Sequence, residues 1–316
     1  MSSKNNLKKI TILSGTVLGV MHLINRFSYH VSTFENRLYS KDAQYYHWKH
    51  GNIFYTKQGE GTPILLIHDL NVCNCSYEWS RIKNTLSLDH TVYTIDLLGC
   101  GNSDKPNLTY TNYLYVQLLS DFISEIIGEK TDIISSGSSS SIVFMTASIQ
   151  KQFIGKTILV NPENLIVSSK APGKFASLAR TFISLPIIGT FYYNMMINKK
   201  TIERDFRSDY YYNPNKFTEK DVMNFYEASQ KHHTHGKYLY ANIKSRFTSA
   251  NIIHGLCKME QPIYIITGKE NPENILAANQ YQNYLPKINI IEIEKTKRFP
   301  HMERPTEFTN IIKEYL

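Results

Sequence analysis

The sequence predicts an α/β fold in which a mostly parallel sheet carries helices on both faces. Six short runs are rich in Ile, Leu and Val, as expected for strands that are buried on both faces of a sheet. Stretches with helical periodicity separate most of these runs, and strands that alternate with helices form parallel sheets. The predicted strands are residues 63–68, 91–95, 132–135, 157–160, 263–266 and 288–293, and the predicted helices are residues 78–86, 113–127, 140–150, 275–284 and 306–315.

Two further segments extend this core. Residues 45–48 and 53–56 indicate a hairpin before the first buried strand, with its turn at Gly51 and Asn52. Residues 164–250 are aromatic-rich and helical in character, and they interrupt the alternation. Because insertions above the carboxyl ends of strands often cover ligand sites, we predict a helical cap of residues 164–250 on a core of residues 45–163 and 251–316.

The first 30 residues contain an apolar segment. Residues 10–24 carry no charge and follow Lys4, Lys8 and Lys9. The segment is shorter than the roughly 20 residues that cross a bilayer comfortably, and no cleavage pattern follows it. We predict a membrane anchor or signal-like helix, and the preceding lysines would place the domain outside the cytoplasm. The alternative is an amphipathic helix that packs on the domain or lies on a membrane.

Composition excludes some classes of function. The net charge of +8 comes from basic residues that form no nucleic-acid recognition signature, and an anionic membrane surface explains it more simply. The four cysteines lack the spacing of a zinc site or a disulfide scaffold, so free thiols are favoured. Three histidines, His232, His233 and His235, indicate a polar loop rather than a metal site. No motif predicts a cofactor.

Five motifs in fixed order resemble those of the α/β-hydrolase superfamily, in particular its capped esterase, lipase and epoxide-hydrolase-like members. They are the strand and His-Gly-like end at 59–69, the Asp-Leu-Leu-Gly-Cys-Gly-Asn-Ser-Asp loop at 96–104, the strand, turn and helix around 137–141, the strand and loop at 261–271, and Phe-Pro-His-Met-Glu-Arg-Pro at 299–305. The third motif is similar to the nucleophile elbow, where a serine sits on a sharp turn between a strand and a helix. The resemblance covers residues 45–316 and implies the α/β-hydrolase fold.

The resemblance also implies a set of site residues. Ser139 would be the nucleophile, and the amides of Leu70 and Ser140 would form the oxyanion hole. The alternative for Ser139 is a hydroxyl that caps a helix.

Three positions depart from the pattern of the superfamily. Asp69 stands where a glycine is usual and would oppose an oxyanion. Asn271 stands at the position of the acid, and Arg298 stands at the position of the histidine, where it cannot act as a base. His301 and Glu163 are the candidate substitutes, although Glu163 is more simply explained as a solvated residue at the start of the cap.

These observations leave two functions open. The first is a membrane-anchored serine hydrolase with a non-standard site that acts on ester-like or other acyl substrates. The second is a catalytically inactive pseudo-hydrolase that serves as a ligand-binding or interaction module, with a small acyl or carboxylate compound as its ligand. The sequence does not indicate the oligomeric state.

Overall fold

The computed structural model describes residues 2–257 and 259–316, and its centre is one eight-stranded sheet. The strands lie in the order β1-β2-β4-β3-β5-β6-β7-β8, and all neighbours from β4 to β8 are parallel. Only β1 with β2 and β2 with β4 are antiparallel. The strands are β1 Gln44–Trp48, β2 Gly51–Gln58, β3 Pro63–Ile67, β4 Thr91–Ile95, β5 Thr131–Ser136, β6 Ile154–Val160, β7 Ile263–Gly268 and β8 Asn289–Ile293.

Helices cover both faces of the sheet. Alternate residues of β3 enter different apolar clusters, Ile64 and Leu66 on one face and Leu65 and Ile67 on the other. This double burial explains the continuous apolar runs and confirms the predicted mostly parallel α/β sheet. The helices are α1 Ser2–Thr33, α2 Lys83–Leu86, α3 Asn112–Phe122, α4 Ser139–Ile149, α5 Leu165–Ser168, α6 Ala176–Ser184, α7 Ile188–Met196, α8 Lys199–Asp205, α9 Glu219–Thr234, α10 Gly236–Lys244, α11 Ile253–Leu256, α12 Pro272–Tyr284, α13 Pro300–Glu303 and α14 Pro305–Tyr315.

The segment between β6 and β7 contains α5 to α11, and its described residues form no strand. Short 3₁₀ turns at Ser76–Trp79 and Pro214–Lys216 and π turns at Ile123–Ile127 and Phe206–Tyr210 complete the fold. Two local predictions were wrong. Gly51 and Asn52 belong to β2, and the hairpin turns at Lys49 and His50 instead. The single helix predicted at 78–86 is a 3₁₀ turn followed by α2.

The amino-terminal segment is a 32-residue helix, α1, which extends beyond the predicted residues 10–24 at both ends. Within residues 2–257 and 259–316, no helix is both long enough and apolar enough to cross a membrane. The predicted single-pass anchor, and the placement of the domain outside the cytoplasm that depended on it, therefore have no support here. The second half of α1 packs on α7 and α9.

Candidate active site

The turn between β5 and α4 lies at the carboxyl edge of the sheet and consists of Gly137 and Ser138. Gly137 has φ +55°, whereas Ser138 and the helix that follows have right-handed backbone. In α/β-hydrolases the nucleophile occupies the strained position of this turn, because strain there makes its side chain project above the sheet. In this chain a glycine holds that position, and glycine adopts a positive φ without steric cost.

Ser139 does not fit the predicted role of nucleophile. It is the first residue of α4 and is fully buried. Its Oγ donates a 2.6 Å hydrogen bond to the carbonyl of His68, just beyond the end of β3. The hydroxyl therefore holds α4 against β3 and does not face a substrate. The sequence pattern placed the nucleophile two residues beyond the strained position.

The carboxylate of Asp69 fills the space above Gly137. Its Oδ1 accepts hydrogen bonds from the backbone N–H of Ser138 at 2.8 Å and from the Ser138 hydroxyl at 2.7 Å. A Cβ atom added to Gly137 would overlap this carboxylate, since even Oδ2, its more distant oxygen, would lie only 2.7 Å away. Asp69 therefore occupies the volume in which a nucleophile side chain would stand.

Arg298 pairs with this carboxylate, because its Nη2 donates a short hydrogen bond to Asp69 Oδ2. Burial alone would raise the pKa of Asp69, but the charge of Arg298 and the hydrogen bonds from Arg298 and Ser138 hold it below its ordinary value. The pair in turn raises the pKa of Arg298. The Arg298 side chain is still 35% exposed, so part of the guanidinium is accessible. Arg298, at the predicted position of the catalytic histidine, therefore lies at the turn, but it is a permanent cation and cannot act as a base.

Leu70 and Ser140, whose amides were predicted to form the oxyanion hole, lie at the turn, but the Ser140 amide is not free to bind an oxyanion. The N–H of Ser140 donates to the carbonyl of Gly137 at 3.2 Å and is therefore committed inside the turn. The carbonyl of Leu70 lies 3.4 Å from the Ser138 hydroxyl. The amide that follows the strained position is that of Ser138, and it already donates its hydrogen bond to the Asp69 carboxylate. An internal anion stands where an oxyanion would have to be stabilised.

Glu163 lies close enough to Asp69 and Arg298 for both charges to act on its carboxyl group. It is half-buried, two residues beyond Asn161, and is not the solvated residue that the sequence favoured. Burial and, to a smaller extent, the charge of Asp69 raise the pKa of Glu163 to about 7, although Arg298 opposes both effects. Glu163 therefore exchanges its proton near neutral pH.

The other two predicted residues do not reach the turn. Asn271 caps α12, and its Oδ1 accepts a hydrogen bond from the N–H of Glu273 at 3.0 Å. His301 is fully buried, stacks on Trp79 at 4.4 Å between ring centroids, and has its Nε2 3.3 Å from Glu78 Oε1. Asn271 and His301 therefore have structural roles, as a helix cap and as part of the core.

Sequence reasoning missed Glu78, which lies beneath the turn. Its Oε1 accepts a short hydrogen bond from the Ser136 hydroxyl, and its Oε2 accepts from the Asp69 N–H at 3.1 Å and from Asn74 Nδ2 at 2.7 Å. Burial would raise the pKa of Glu78, but hydrogen bonding and charge attraction from His301 lower it below its ordinary value. Nothing in the sequence distinguished this glutamate from a surface residue of a helix.

Asn161 was also missed, and it positions Arg298. Its Nδ2 donates to the carbonyls of Lys297 and Arg298 at 3.0 and 2.8 Å, and its Oδ1 accepts from the Thr267 hydroxyl and the Gly268 N–H, both at 3.0 Å. Its φ of +45° is one that asparagine tolerates better than most residues. The Asn-Pro pair just after β6 was the only sequence signal for it.

The described residues contain no group of three or more His, Cys, Asp or Glu side chains that could hold a metal ion. Cys73, Cys75 and Cys100 are buried free thiols, and Cys257 is an exposed one.

The parallel sheet, the helices on both faces and the sharp turn after β5 define an α/β-hydrolase fold. The chain belongs to the alpha/beta hydrolase family, whose profile matches residues 64–311.

The individual proteins that are similar to this chain have low sequence identity to it. An uncharacterized protein of Mycobacterium tuberculosis is 28% identical over 135 residues, which are 41% of this chain and 39% of that protein. The match thus spans about two fifths of that relative's length. Among solved structures, a meta-cleavage product hydrolase from Pseudomonas fluorescens has a TM-score of 0.69 at 15% identity and covers 86% of this chain and 96% of its own. A bacterial membrane phospholipase A also has a TM-score of 0.69, at 16% identity, and covers 99% of this chain and 97% of its own.

Proposed function

We propose that this protein is a member of the alpha/beta hydrolase family that binds a small acyl compound at the β5–α4 turn without cleaving it by a serine mechanism. The observation that carries the proposal is the Asp69 carboxylate above Gly137. It fills the volume of a nucleophile side chain and occupies the Ser138 amide. Serine hydrolysis needs a nucleophile, a base and an empty oxyanion hole, and Gly137, Arg298 and Asp69 stand at those three places.

The charge balance favours a neutral ligand. Asp69 already neutralises Arg298, and Glu163 adds further negative charge as it ionises near pH 7. A free carboxylate would therefore be repelled more than an ester or an amide. The exposed part of the Arg298 guanidinium can donate a hydrogen bond to a neutral carbonyl oxygen.

A thermal-shift series would test ligand binding. We expect amides and non-hydrolysable ester analogues of increasing chain length to raise the Tm of the parent protein, and the matching carboxylic acids to raise it less. The shift should disappear in Arg298→Met and persist in Arg207→Met, since Arg207 is an exposed arginine elsewhere in the chain. A parent protein that no compound stabilises, or equal shifts in both variants, would contradict the proposed site.

A hydrolase remains the second candidate because of one contact, the 2.7 Å hydrogen bond from the Ser138 hydroxyl to Asp69. A carboxylate next to a hydroxyl could accept its proton, and Ser138 is half-exposed. The lowered pKa of Asp69 makes it a weak base, which is why we rank this candidate second.

Fluorophosphonate labelling would separate the two candidates. We expect no labelling of the parent protein and no turnover across a series of short to long acyl esters. Labelling that is lost in Ser138→Ala but kept in Ser139→Ala would establish the hydrolase instead. As a positive control, the combined variant Gly137→Ser, Asp69→Gly and Arg298→His restores nucleophile, oxyanion hole and base, and it should gain labelling if the turn has been assigned correctly.

A further inference from the structure

The first helix has an unusual distribution of side chains. From Met21 onwards, the face of α1 that packs on the protein is polar: Asn25 is buried, donates to the carbonyl of Ile187 at 3.1 Å and accepts from Asn194 Nδ2 at 3.0 Å. Ser32 is fully buried on the same helix. Most of the apolar side chains described between Ile12 and Val31 are exposed instead, and Met21 is half-buried. This is the reverse of the usual arrangement, in which the apolar stripe of a helix faces the core.

Six of the exposed apolar residues of α1 form one stripe, and Ile12, Leu18 and Leu23 are exposed outside it. The spacing of the six alternates between three and four residues, so they follow one side of the helix over about 27 Å. Each of the six is between 43% and 70% exposed. The apolar stripe consists of Leu13, Val17, Val20, Ile24, Phe27 and Val31.

Exposed apolar residues also occur on the cap helices next to α1. Helix α1 lies along α7, and α7 packs on α6. The most exposed large apolar side chains of this region, all at least 40% exposed, are Phe175, Leu178, Phe182, Ile188, Met195 and Met196. Scattered exposed apolar residues are ordinary, but a set on adjoining helices marks an interaction surface.

The charge of the chain is concentrated in these same two segments. Residues 2–34 contain four Lys or Arg and no Asp or Glu, and residues 164–200 contain five Lys or Arg and no Asp or Glu. The whole chain has a net charge of +8, so the remainder carries about one net negative charge. Val31 lines one surface groove with the basic residues Arg37, Lys199, Lys200 and Lys220, and Glu35 and Glu219 line it as well.

We propose that α1 and the α6–α7 face of the cap dock this protein onto the surface of an anionic lipid membrane. Apolar side chains would enter the boundary between headgroups and acyl chains, while the surrounding lysines and arginines meet the negative headgroups. The helix lies on the membrane in this arrangement and does not cross it. This inference is independent of what the β5–α4 turn binds.

A second copy of the chain fits the same surface less well. The three-four spacing would also suit a two-helix coiled coil, but such coils use opposite charges beside the seam. Helix α1 has basic residues and no acidic ones, so two copies would repel each other. Residues 11–20 are moreover exposed on every side of the helix, and a single seam would leave most of that surface in water.

Co-sedimentation of the full-length protein with lipid vesicles would test the proposal. We expect partitioning onto vesicles of phosphatidylcholine and phosphatidylglycerol to be at least about tenfold stronger than onto phosphatidylcholine alone, and to weaken with salt. The combined variant Val20→Gln, Ile24→Gln and Phe27→Gln should lose at least about tenfold in partitioning. Lys9→Gln with Arg26→Gln should weaken binding to the anionic vesicles only.

A matched control keeps the experiment specific. Leu88→Gln, Tyr113→Gln and Ile149→Gln also remove three exposed apolar side chains, 60–77% exposed, but from outside α1 and the cap. This control should partition like the parent, and all variants should melt at a similar temperature. Three results would overturn the proposal: a parent that stays in the supernatant with both vesicles, a stripe variant that binds as well as the control, or a parent dimer that the stripe variant converts to monomer in light scattering.

Discussion

The substitution Gly137→Ala measures directly how closely the Asp69 carboxylate lies above the turn. An alanine at φ +55° costs about 1–2 kcal/mol because L-residues disfavour the left-handed region. Its Cβ would also displace the Asp69 carboxylate, which would weaken at least one hydrogen bond to a charged acceptor, worth about 1.5–3 kcal/mol. We therefore expect Gly137→Ala to lower the free energy of unfolding by about 2.5–5 kcal/mol.

Gly128 offers a matched control for this experiment. It has φ +75°, and a Cβ added there would meet nothing within 4 Å, so Gly128→Ala should cost only the backbone term of about 1–2 kcal/mol. In an Asp69→Gly background, Gly137→Ala should also cost only that term, because the obstructing carboxylate is gone. Urea unfolding monitored by circular dichroism, with an unchanged m-value, gives these differences. Equal costs for Gly137→Ala and Gly128→Ala in the parent would refute the assignment of Asp69 to the nucleophile volume.

Three further predictions concern the groups around the turn. Arg298→Met leaves the Asp69 carboxylate without its ion-pair partner and should cost about 3 kcal/mol at pH 7. This is the low end for a broken buried pair, because Arg298 is one-third exposed. In urea titrations the loss should shrink near pH 4, where Asp69 of the variant is protonated, and the control Arg207→Met should cost under about 0.5 kcal/mol at both pH values. Folding raises the pKa of Glu163 from 4.5 to about 7, so the parent loses stability as the pH rises through that window. The free energy of unfolding of Glu163→Gln should equal that of the parent near pH 4 and exceed it by up to about 3 kcal/mol at pH 8. A constant difference across the window would contradict the placement of Glu163. His301→Leu removes the buried ring whose Nε2 lies 3.3 Å from the carboxylate of Glu78 and should cost about 2–3 kcal/mol in urea unfolding. The exposed His254→Leu should have little effect, and equal costs would argue against the His301–Glu78 contact.

The class of fold could be predicted because its signal is local and repeated. Strand β3 is a continuous apolar run, since both of its faces are buried, and helices such as α14 begin near the predicted residue. The same local reasoning was less successful at α1. Its apolar residues indicated a membrane anchor or signal-like helix, with an amphipathic helix on the domain or on a membrane as the alternative. Only the packing of Asn25 and Ser32 shows which side of the helix is covered.

The general position of the candidate site was also available from the sequence. The order of motifs placed Asp69, the serine-rich turn and Arg298 at the carboxyl edge of one sheet, and the structure brings these three together. What the sequence lacked was the register within the turn. In the run Ser135 to Ser141 only Ser139 follows a glycine by two residues, as the nucleophile motif requires, whereas in the structure Gly137 itself holds the strained position.

The sequence by itself therefore determined the sheet, the helices that cover it and the segment that carries the site, because hydrophobic periodicity and motif order are properties of the chain. Only the tertiary structure decided which residue holds the strained backbone, which carboxylate stands over it and which predicted groups serve the core instead. Backbone dihedral angles at Gly137 and the approach of Asp69 from the loop after β3 depend on contacts between residues 68 positions apart. Contacts at that separation leave no periodic pattern in a single sequence, so the chemistry of this site follows from packing.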